Sequence, residues 1–513
     1  MFSYKFKITS LLAAAGLAIM SSCSSDFIDL RDPNAVSNDT YYRTESDVLA
    51  ALNGIYQSLR SGNGIGETSA LFNEERSDNT GRNDNQSNAG EPFQFNDFSL
   101  LPSNAYLKSH WLALYQSISR SNQVLDGIEK VTFTDNNLKE QYKAEAKFIR
   151  ALTYFHLVRK WGDVPLVTKP LTTIAEVQAS TAREKQAVVY QQIVADLKDA
   201  VGSTLPNVQT AATKGKVTKA AANALLGQVY LTMATTLDQA GRTANLNEAK
   251  TYLTAAYNLR SFGLLKEIPY TDVFDVAKKS TCPEIIFQVV NRQGDINFSS
   301  AIARNNQAKG ETINSPFTST GAGGNVTPDL VLDYEETDLR KTFSIKYAND
   351  AIVKDYFITK FRDASAAATT NGYGGNDWIL IRYADVILML AEVNMYLGDA
   401  AAAIGFLDQV RERAGMPKYD VMKTNAAYTA KYPTLKLAIL HERRVELAFE
   451  NHRLFDLLRS FTTDELVAYF KSKKQADFGI AKLINFGKKD RYYPIPFDEV
   501  KLNPEKMYQN EGY

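Results

Sequence analysis

The sequence predicts a mainly α-helical fold with a loop-rich second part, and three observations support this prediction. A series of segments repeats apolar residues at the helical period. Two pairs of these segments carry small residues at the spacing of a tetratricopeptide helix hairpin, where Gly or Ala allows close helix approach. Two long stretches between them are rich in Gly, Asn and Ser. We therefore expect a tetratricopeptide-like helical scaffold with an irregular, loop-rich second subdomain that contains short strands.

The first 22 residues have the pattern of an export signal. Two lysines precede a short apolar run over residues 11–20, and Ser21, Ser22 and Cys23 follow. The apolar run is too short to span a bilayer. Small residues directly before a lone cysteine are typical of a bacterial lipoprotein signal, so we predict cleavage before Cys23 and lipidation of its thiol. The alternatives are an ordinary signal peptide with an incidental cysteine and a buried N-terminal helix.

The helical segments follow the signal and a polar tether over residues 23–40. The first helix begins in a capping-box-like sequence, Thr44 to Asp47. The predicted helices cover residues 44–60, 105–129, 136–161, 184–201, 218–237, 246–260, 378–397, 400–414 and 434–460.

Two pairs of these helices carry small residues at the spacing of a tetratricopeptide hairpin. Ala391, Gly398, Ala403 and Leu407 match one tetratricopeptide hairpin, whereas the second match has a longer loop. The residues of that second match are Leu226, Gly227, Tyr230, Ala249, Leu253 and Ala256. Generic antiparallel helix packing uses the same small residues and is the alternative.

Two regions, residues 61–104 and 262–377, lack a helical period. In the second region the apolar run Ile285–Val290 predicts a strand. Loops of this length in a compact protein are usually functional or disordered. We divide the chain into a signal peptide (1–22), a lipidated tether (23–40), an N-terminal helical region (41–261), a loop-rich middle region (262–377) and a C-terminal helical region (378–513).

Composition argues against several classes of function. The chain has 58 basic and 58 acidic residues with both signs interspersed, so we expect no nucleic-acid partner. Besides Cys23 only Cys282 is a cysteine, and lipidation of Cys23 would leave no intramolecular disulfide. The four histidines lack zinc-binding spacing. We therefore expect neither catalytic residues nor a cofactor.

Polar and aromatic residues cluster in both loop-rich regions. Sugars are recognised by such mixtures, because amide, carboxylate and guanidinium groups hydrogen-bond to hydroxyls while aromatic faces stack on the ring. The predicted ligand-binding residues are Asp78, Arg82, Asn83, Asn85, Phe93 and Phe95 in the first loop, with Arg292, Phe298 and Asn305 in the middle region. A solvated loop without a ligand is the alternative. The oxygen-bearing side chains of residues 78–85 also suit calcium, and the sequence leaves the metal content unknown.

Motifs along nearly the whole chain, taken in their order and spacing, resemble the SusD/RagB family. They comprise Cys23 with Ser24-Ser25-Asp26, Trp111-x2-Leu114-Tyr115, Ala144 to Ala151, Trp161 to Pro165, Ile381 to Val386, Arg411 to Gly415, Glu442 to Leu447 and Tyr493 to Pro496.

The resemblance implies a non-catalytic lipoprotein of the outer membrane that is lipid-anchored and faces the cell surface. Family members capture oligosaccharide, or sometimes peptide, and pass it to a SusC-like TonB-dependent transporter. We therefore expect an oligosaccharide-binding protein with such a transporter as its partner. Neither candidate loop contains tryptophan, so peptide capture stays open, as does a surface scaffold without a ligand.

Overall fold

The structure is a computed structural model that describes residues 41–81, 90–237, 239–317, 325–348, 354–369, 372–478 and 485–513. Cys23 and the rest of the predicted signal and tether lie outside these ranges. Helices dominate the described residues and strands are short, which confirms the predicted fold class. None of the helices in these ranges is long and apolar enough to cross a membrane.

Helices α1 to α8 form the N-terminal region. The Thr44 hydroxyl accepts a hydrogen bond from the Asp47 amide, and the Asp47 carboxylate accepts one from the Thr44 amide, so the predicted capping box starts the first helix. The eight helices are α1 (Glu45–Leu59), α2 (Glu91–Asn96), α3 (Ala105–Gly127), α4 (Asn136–Trp161), α5 (Ile174–Ser180), α6 (Gln186–Gly202), α7 (Lys219–Thr236) and α8 (Arg242–Asn258).

The described part of the middle region contains three short α-helices and most of the strands. The helices are α9 (Ile302–Asn305), α10 (Pro328–Asp333) and α11 (Leu339–Ser344). The strands are β1 (Thr80–Gly81), β2 (Ile285–Val289), β3 (Asn325–Val326), β4 (Ile345–Tyr347), β5 (Tyr356–Ile358) and β6 (Trp378–Arg382). They form an antiparallel sheet in the order β1-β3-β5-β4 and an antiparallel pair of β2 with β6. The strand predicted from residue 285 is confirmed.

The C-terminal region returns to helices. These are α12 (Tyr383–Tyr396), α13 (Ala400–Arg413), α14 (Tyr419–Met422), α15 (Ala426–Lys431), α16 (Leu435–Glu446), α17 (Arg453–Ser460), α18 (Thr463–Ser472), α19 (Gln475–Phe478) and α20 (Phe497–Leu502). Along the scaffold α3, α4, α6, α7, α8, α12 and α13 each pack on the next in this order, as in a helical repeat array.

Gly227 sets the distance between α7 and α8. A Cβ atom at this position would lie 2.5 Å from Cγ of Leu253 and 3.0 Å from its backbone nitrogen. The absence of a side chain therefore allows the close approach of these two helices, as the small-residue pattern predicts.

The helix predicted over residues 378–397 is wrong in its first turn. Trp378–Arg382 forms strand β6 and pairs with β2, so the helix begins at Tyr383. Residues 378–382 are mostly buried on both faces, which suits a short strand rich in Ile and Trp. The apolar period alone did not separate this strand from the helix that follows.

The single helix predicted over residues 434–460 is broken between α16 and α17. Phe449 and Asn451 adopt positive φ angles of 68° and 66°, which a helix does not accommodate. The buried carboxylate of Glu74 accepts hydrogen bonds from both backbone amides, each at 3.0 Å. A contact from the first loop therefore stabilises this break.

The three tryptophans belong to the core. Trp111, Trp161 and Trp378 are each at most 2% exposed. The Trp161 indole donates a 2.9 Å hydrogen bond to the Pro494 carbonyl, which ties the extended C-terminal segment to the scaffold. Tyr493 in that segment is itself buried.

Candidate ligand-binding groove

A groove of about 310 Å³ opens where the end of α1 meets the segment that follows β2. Three parts of the chain form its walls: residues 53–60, 214–216 and 288–298. Its polar and aromatic side chains include Tyr56, Arg60, Lys214, Lys216, Arg292 and Phe298, and Asn53, Gln57, Gln288 and Asn291 add amides. The groove thus combines cations, amides and aromatic rings.

Arg60, immediately after α1, holds the loop that carries Phe298. Its guanidinium donates to the Val290 carbonyl at 2.8 Å and to the Asn291 side-chain oxygen at 2.5 Å. The same guanidinium lies 5.4 Å from the centre of the Phe298 ring, within the range of a cation–π contact. Because Phe298 is 43% exposed, the ring is supported by a cation and still reachable by a ligand.

Backbone hydrogen bonds fix the loop over residues 292–298. The Arg292 amide donates to the Phe298 carbonyl at 2.7 Å. The Asp295 carboxylate accepts hydrogen bonds from the Asn297 and Phe298 amides at 2.9 and 3.1 Å. The loop is therefore preorganised, which lowers the conformational entropy that a ligand must overcome.

Glu67 secures the next part of the same loop. Its carboxylate accepts a short hydrogen bond from the Ser300 hydroxyl and one of 2.8 Å from the Ala301 amide. Burial raises the pKa of Glu67, although these hydrogen bonds oppose the rise. Glu67 thus connects the loop after β2 to the first loop-rich region.

The opposite wall rests on Tyr56 and Lys216. The Tyr56 hydroxyl donates to the buried Glu145 carboxylate at 2.6 Å and accepts from the Val217 amide at 3.0 Å. The Lys216 ammonium lies 4.3 Å from the centre of the Tyr56 ring. At Gly215, φ is +78° and a Cβ would lie 2.4 Å from the Val290 side chain, so glycine lets this turn pack against the other wall.

Of the predicted ligand-binding residues, Arg292 and Phe298 line this groove. Asn305 ends α9 and is exposed, but it does not contribute to the groove wall. Phe93 lies half-buried on α2. Arg82, Asn83 and Asn85 lie outside the described residues.

Two predicted ligand-binding residues are scaffold residues instead. Phe95 is completely buried and packs edge-on against Phe72 and Tyr493, so its ring is not available for stacking on a sugar. Asp78 is completely buried as well. We correct both assignments on this ground.

The Asp78 carboxylate already has side-chain partners. Arg453 donates two hydrogen bonds to it at 2.7 and 2.8 Å, and Tyr469 donates another at 2.5 Å. Burial alone would raise the pKa of Asp78, but Arg444 and Arg453 hold it well below its usual range. A calcium ion at this carboxylate would face both guanidinium groups, which does not suit the calcium alternative.

Several charged residues between 443 and 456 form buried ion pairs. Arg443 pairs with Asp385 at 2.8 Å and with Asp456 at 3.0 Å. The Glu450 carboxylate pairs with Arg382 at 2.7 Å. These charges link helices and strands of the scaffold and leave the groove to other residues.

Sequence reasoning missed Arg60, Tyr56 and Lys216. The helical period assigns Tyr56 to the apolar stripe of the first helix, and nothing in the sequence connects it with residue 216. The one available signal is the Lys214-Gly215-Lys216 turn, a pair of cations around a flexible residue.

Comparisons with known families cover most of the chain. Residues 291–513 match the model of a family described as the SusD family. Residues 26–231 match a family described as starch-binding and associating with the outer membrane.

Full-length relatives agree with these matches. The chain is 26% identical to SusD-like protein P2 of Formosa agariphila, over 99% of this chain and all of that protein. It is 24% identical to a SusD-like protein of Bacteroides ovatus, over 98% and 95% of the two chains.

Solved structures share the fold. A laminarin-binding SusD-like protein superposes with a TM-score of 0.74 at 26% identity, over 92% of this chain and all of the other. Surface glycan-binding protein A of Bacteroides thetaiotaomicron, solved with laminarihexaose, gives a TM-score of 0.72 at 18% identity over 91% and 99%. At that identity the second likeness concerns the fold alone.

Proposed function

Because this chain belongs to the SusD/RagB family, we propose that it captures oligosaccharides at the outer membrane, in the groove between α1 and the segment after β2. In this proposal the protein binds its ligand and does not transform it. The similarity to the laminarin-binding SusD-like protein supports a glycan as the ligand.

The exposed ring of Phe298 is the observation that carries this proposal. It lies on a preorganised loop, with the Arg60 cation near its ring and the Arg292 guanidinium on the same loop. The apolar face of a sugar stacks on such a ring, while amides and guanidinium groups hydrogen-bond to hydroxyls.

Replacing Phe298 with Ala tests the site. Loss of a stacking ring costs about 1–3 kcal/mol in comparable ring stacking, or roughly tenfold in affinity. A glycan array and a peptide array first identify the ligand, and calorimetry then compares the variant with the unaltered protein. Melting temperatures measured in parallel show whether the variant folds normally.

Phe497→Ala provides the matched control. Phe497 is 49% exposed and has a Lys501 ammonium 4.3 Å from its ring centre, but it lies on α20, which contributes nothing to the groove. Its loss should leave affinity unchanged. Equal affinity of the folded Phe298→Ala variant and the unaltered protein would refute the groove as the site, and binding to peptides alone would favour peptide capture.

Further residues of the two loops belong to this proposal. Arg82, Asn83 and Asn85 follow the scaffold-bound Asp78, and we infer that they extend the binding surface together with Phe93 and Asn305. Alanine at each position should weaken binding of the identified oligosaccharide without a change in melting temperature.

We propose that Cys23 carries the lipid anchor, that the protein faces the cell surface and that it delivers ligand to a SusC-like TonB-dependent transporter. The family described as associating with the outer membrane supports the location. Labelling with a clickable palmitate should mark the unaltered protein and not Cys23→Ala.

Purification in mild detergent followed by mass spectrometry should recover a large TonB-dependent transporter, and its repeated absence would count against delivery.

A further inference from the structure

We propose that the oligosaccharide taken by this groove is anionic and carries carboxylate or sulfate groups. This inference rests on the proposed function, since it specifies the class of glycan bound at the same site. Four of the groove's side chains are cationic, Arg60, Lys214, Lys216 and Arg292, whereas its described lining contains neither Asp nor Glu.

This excess of positive charge is local. The whole chain has 58 basic and 58 acidic residues, so its composition alone predicts an even mixture in any surface patch. A concave site lined by one sign of charge concentrates the field and favours a ligand of the opposite sign.

The carboxylates beside Lys214 and Lys216 lie behind the groove lining and compensate only part of the positive charge. Asp377 is buried between two ammonium groups, Lys214 at 2.5 Å and Lys279 at 2.8 Å, so one negative charge serves two positive ones. Glu145 is buried, and its carboxylate accepts a hydrogen bond from the Tyr56 hydroxyl and lies 3.9 Å from the Lys216 ammonium.

Arg60 and Arg292 are compensated only at longer range. The carboxylates of Glu67, Asp295 and Asp377 act on Arg60 electrostatically, but within the described ranges none lies at ion-pair distance from it. Its guanidinium contacts a carbonyl, an amide oxygen and the Phe298 ring instead. The Arg292 side chain is 79% exposed, and its only ion pair among the described residues is with Asp295, at 3.7 Å.

Partial burial of the cations further favours an anionic ligand. Burial removes part of the hydration of the charged forms of Arg60 and Lys216 and thereby lowers the pKa of both. An anionic group in the groove would form charge-assisted hydrogen bonds with them. The arrangement around Phe298 therefore suits a sugar whose ring stacks on the aromatic face while its carboxylate or sulfate meets a guanidinium.

Matched pairs of oligosaccharides test this inference by calorimetry at 50 mM NaCl. One pair is hexagalacturonate and its fully methyl-esterified form, and the other is a κ-carrageenan hexasaccharide and its desulfated form; laminarihexaose serves as a further neutral probe. At least one anionic member should bind about tenfold or more tightly than its neutral counterpart. Its affinity should fall several-fold at 300 mM NaCl because salt screens the charges.

Arg292→Gln assigns this selectivity to the groove. Arg292 is exposed enough to be replaced without disturbing the core. Its loss should lower the affinity for the anionic probe about tenfold, and by a clearly larger factor than it lowers the affinity for a neutral probe. Lys250→Gln is the control, because Lys250 is a half-buried lysine of α8, away from the groove, whose carboxylate partner Asp399 is 4.0 Å away. The control should bind like the unaltered protein.

The outcomes separate this inference from the proposed function. Equal binding of both members of each pair without salt dependence overturns the anionic ligand and leaves glycan capture in place. Binding of hexaglutamate in preference to every sugar overturns both. If none of the oligosaccharide probes binds, the anionic inference is overturned, and the glycan and peptide arrays decide the class of ligand.

Discussion

At Gly227, two helices approach so closely that a methyl group does not fit between them. Gly227→Ala would place a Cβ 2.5 Å from Leu253, so we expect a loss of about 1–3 kcal/mol in the free energy of unfolding. Gly405→Ala on α13 is the matched change, because a Cβ there meets no atom within 4 Å. It should stabilise by about 0.4–1 kcal/mol. Urea denaturation of both variants checks this, and equal effects would contradict the packing account.

His110 is a buried base that the fold keeps neutral. Its Nδ1–H donates to the Asn63 carbonyl at 2.6 Å, which leaves Nε2 to accept from the Lys160 ammonium or amine at 2.7 Å. Burial, together with the nearby Lys160, lowers the pKa of His110 well below its usual range. The unfolded chain therefore binds a proton near pH 6.5 that the folded protein excludes, so acid favours unfolding.

We predict that the free energy of unfolding falls as the pH is lowered from 7 to 5, and that His110→Gln reduces this slope. One excluded proton corresponds to about 1.4 kcal/mol per pH unit. Urea denaturation across this range measures the slope, and an unchanged slope in the variant would exclude His110 as a cause.

His441 provides a control, because its effect on the pH dependence of stability is opposite to that of His110. Burial opposes its protonation, yet Asp333 and Glu335 raise its pKa above the usual value. Its stabilising contribution is therefore present at acidic pH and lost as the pH rises through the folded pKa, so His441→Gln should steepen the loss of stability on acidification.

At the scale of elements, the start of the first loop is bound to the break between α16 and α17. Glu74 holds the Phe449 and Asn451 amides, and Asp78 pairs with Arg453. The contact between Glu74 and Phe449 spans 375 residues of sequence, so no local pattern could have predicted it. The periodicity of the α16–α17 segment correctly indicated helices, but the positive φ angles depend on this distant carboxylate.

Asp78→Asn distinguishes a scaffold residue from a ligand-binding one. The change leaves two buried guanidinium groups without their shared carboxylate, and breaking a buried pair costs about 3–5 kcal/mol. We expect a clearly lower melting temperature but unchanged affinity of the folded protein for the identified oligosaccharide, the reverse of Phe298→Ala. Weakened binding at unchanged stability would return Asp78 to the ligand site.

At the scale of the whole molecule, the sequence was sufficient to predict the order of the long helices and the helical character of the N-terminal and C-terminal regions within the described residues. Trp111 and Trp161 lie in strongly periodic segments, so their burial was predictable. The groove was only partly predictable, because residues 53–60, 214–216 and 288–298 meet only after folding. Arg292 and Phe298 were found because their loop has a polar and aromatic composition, whereas Arg60 and Lys216 adjoin ordinary helices.

Hydrogen–deuterium exchange with and without the bound oligosaccharide tests most directly whether the ligand binds in this groove. A ligand that stacks on Phe298 and contacts Arg60 and Lys216 should slow local opening of both walls, and exchange should therefore decrease in peptides covering residues 213–217 and 288–298. Peptides from α14 and α15 should exchange as before. Slower exchange elsewhere, with residues 288–298 unaffected at saturating ligand, would contradict the assignment of this groove as the binding site.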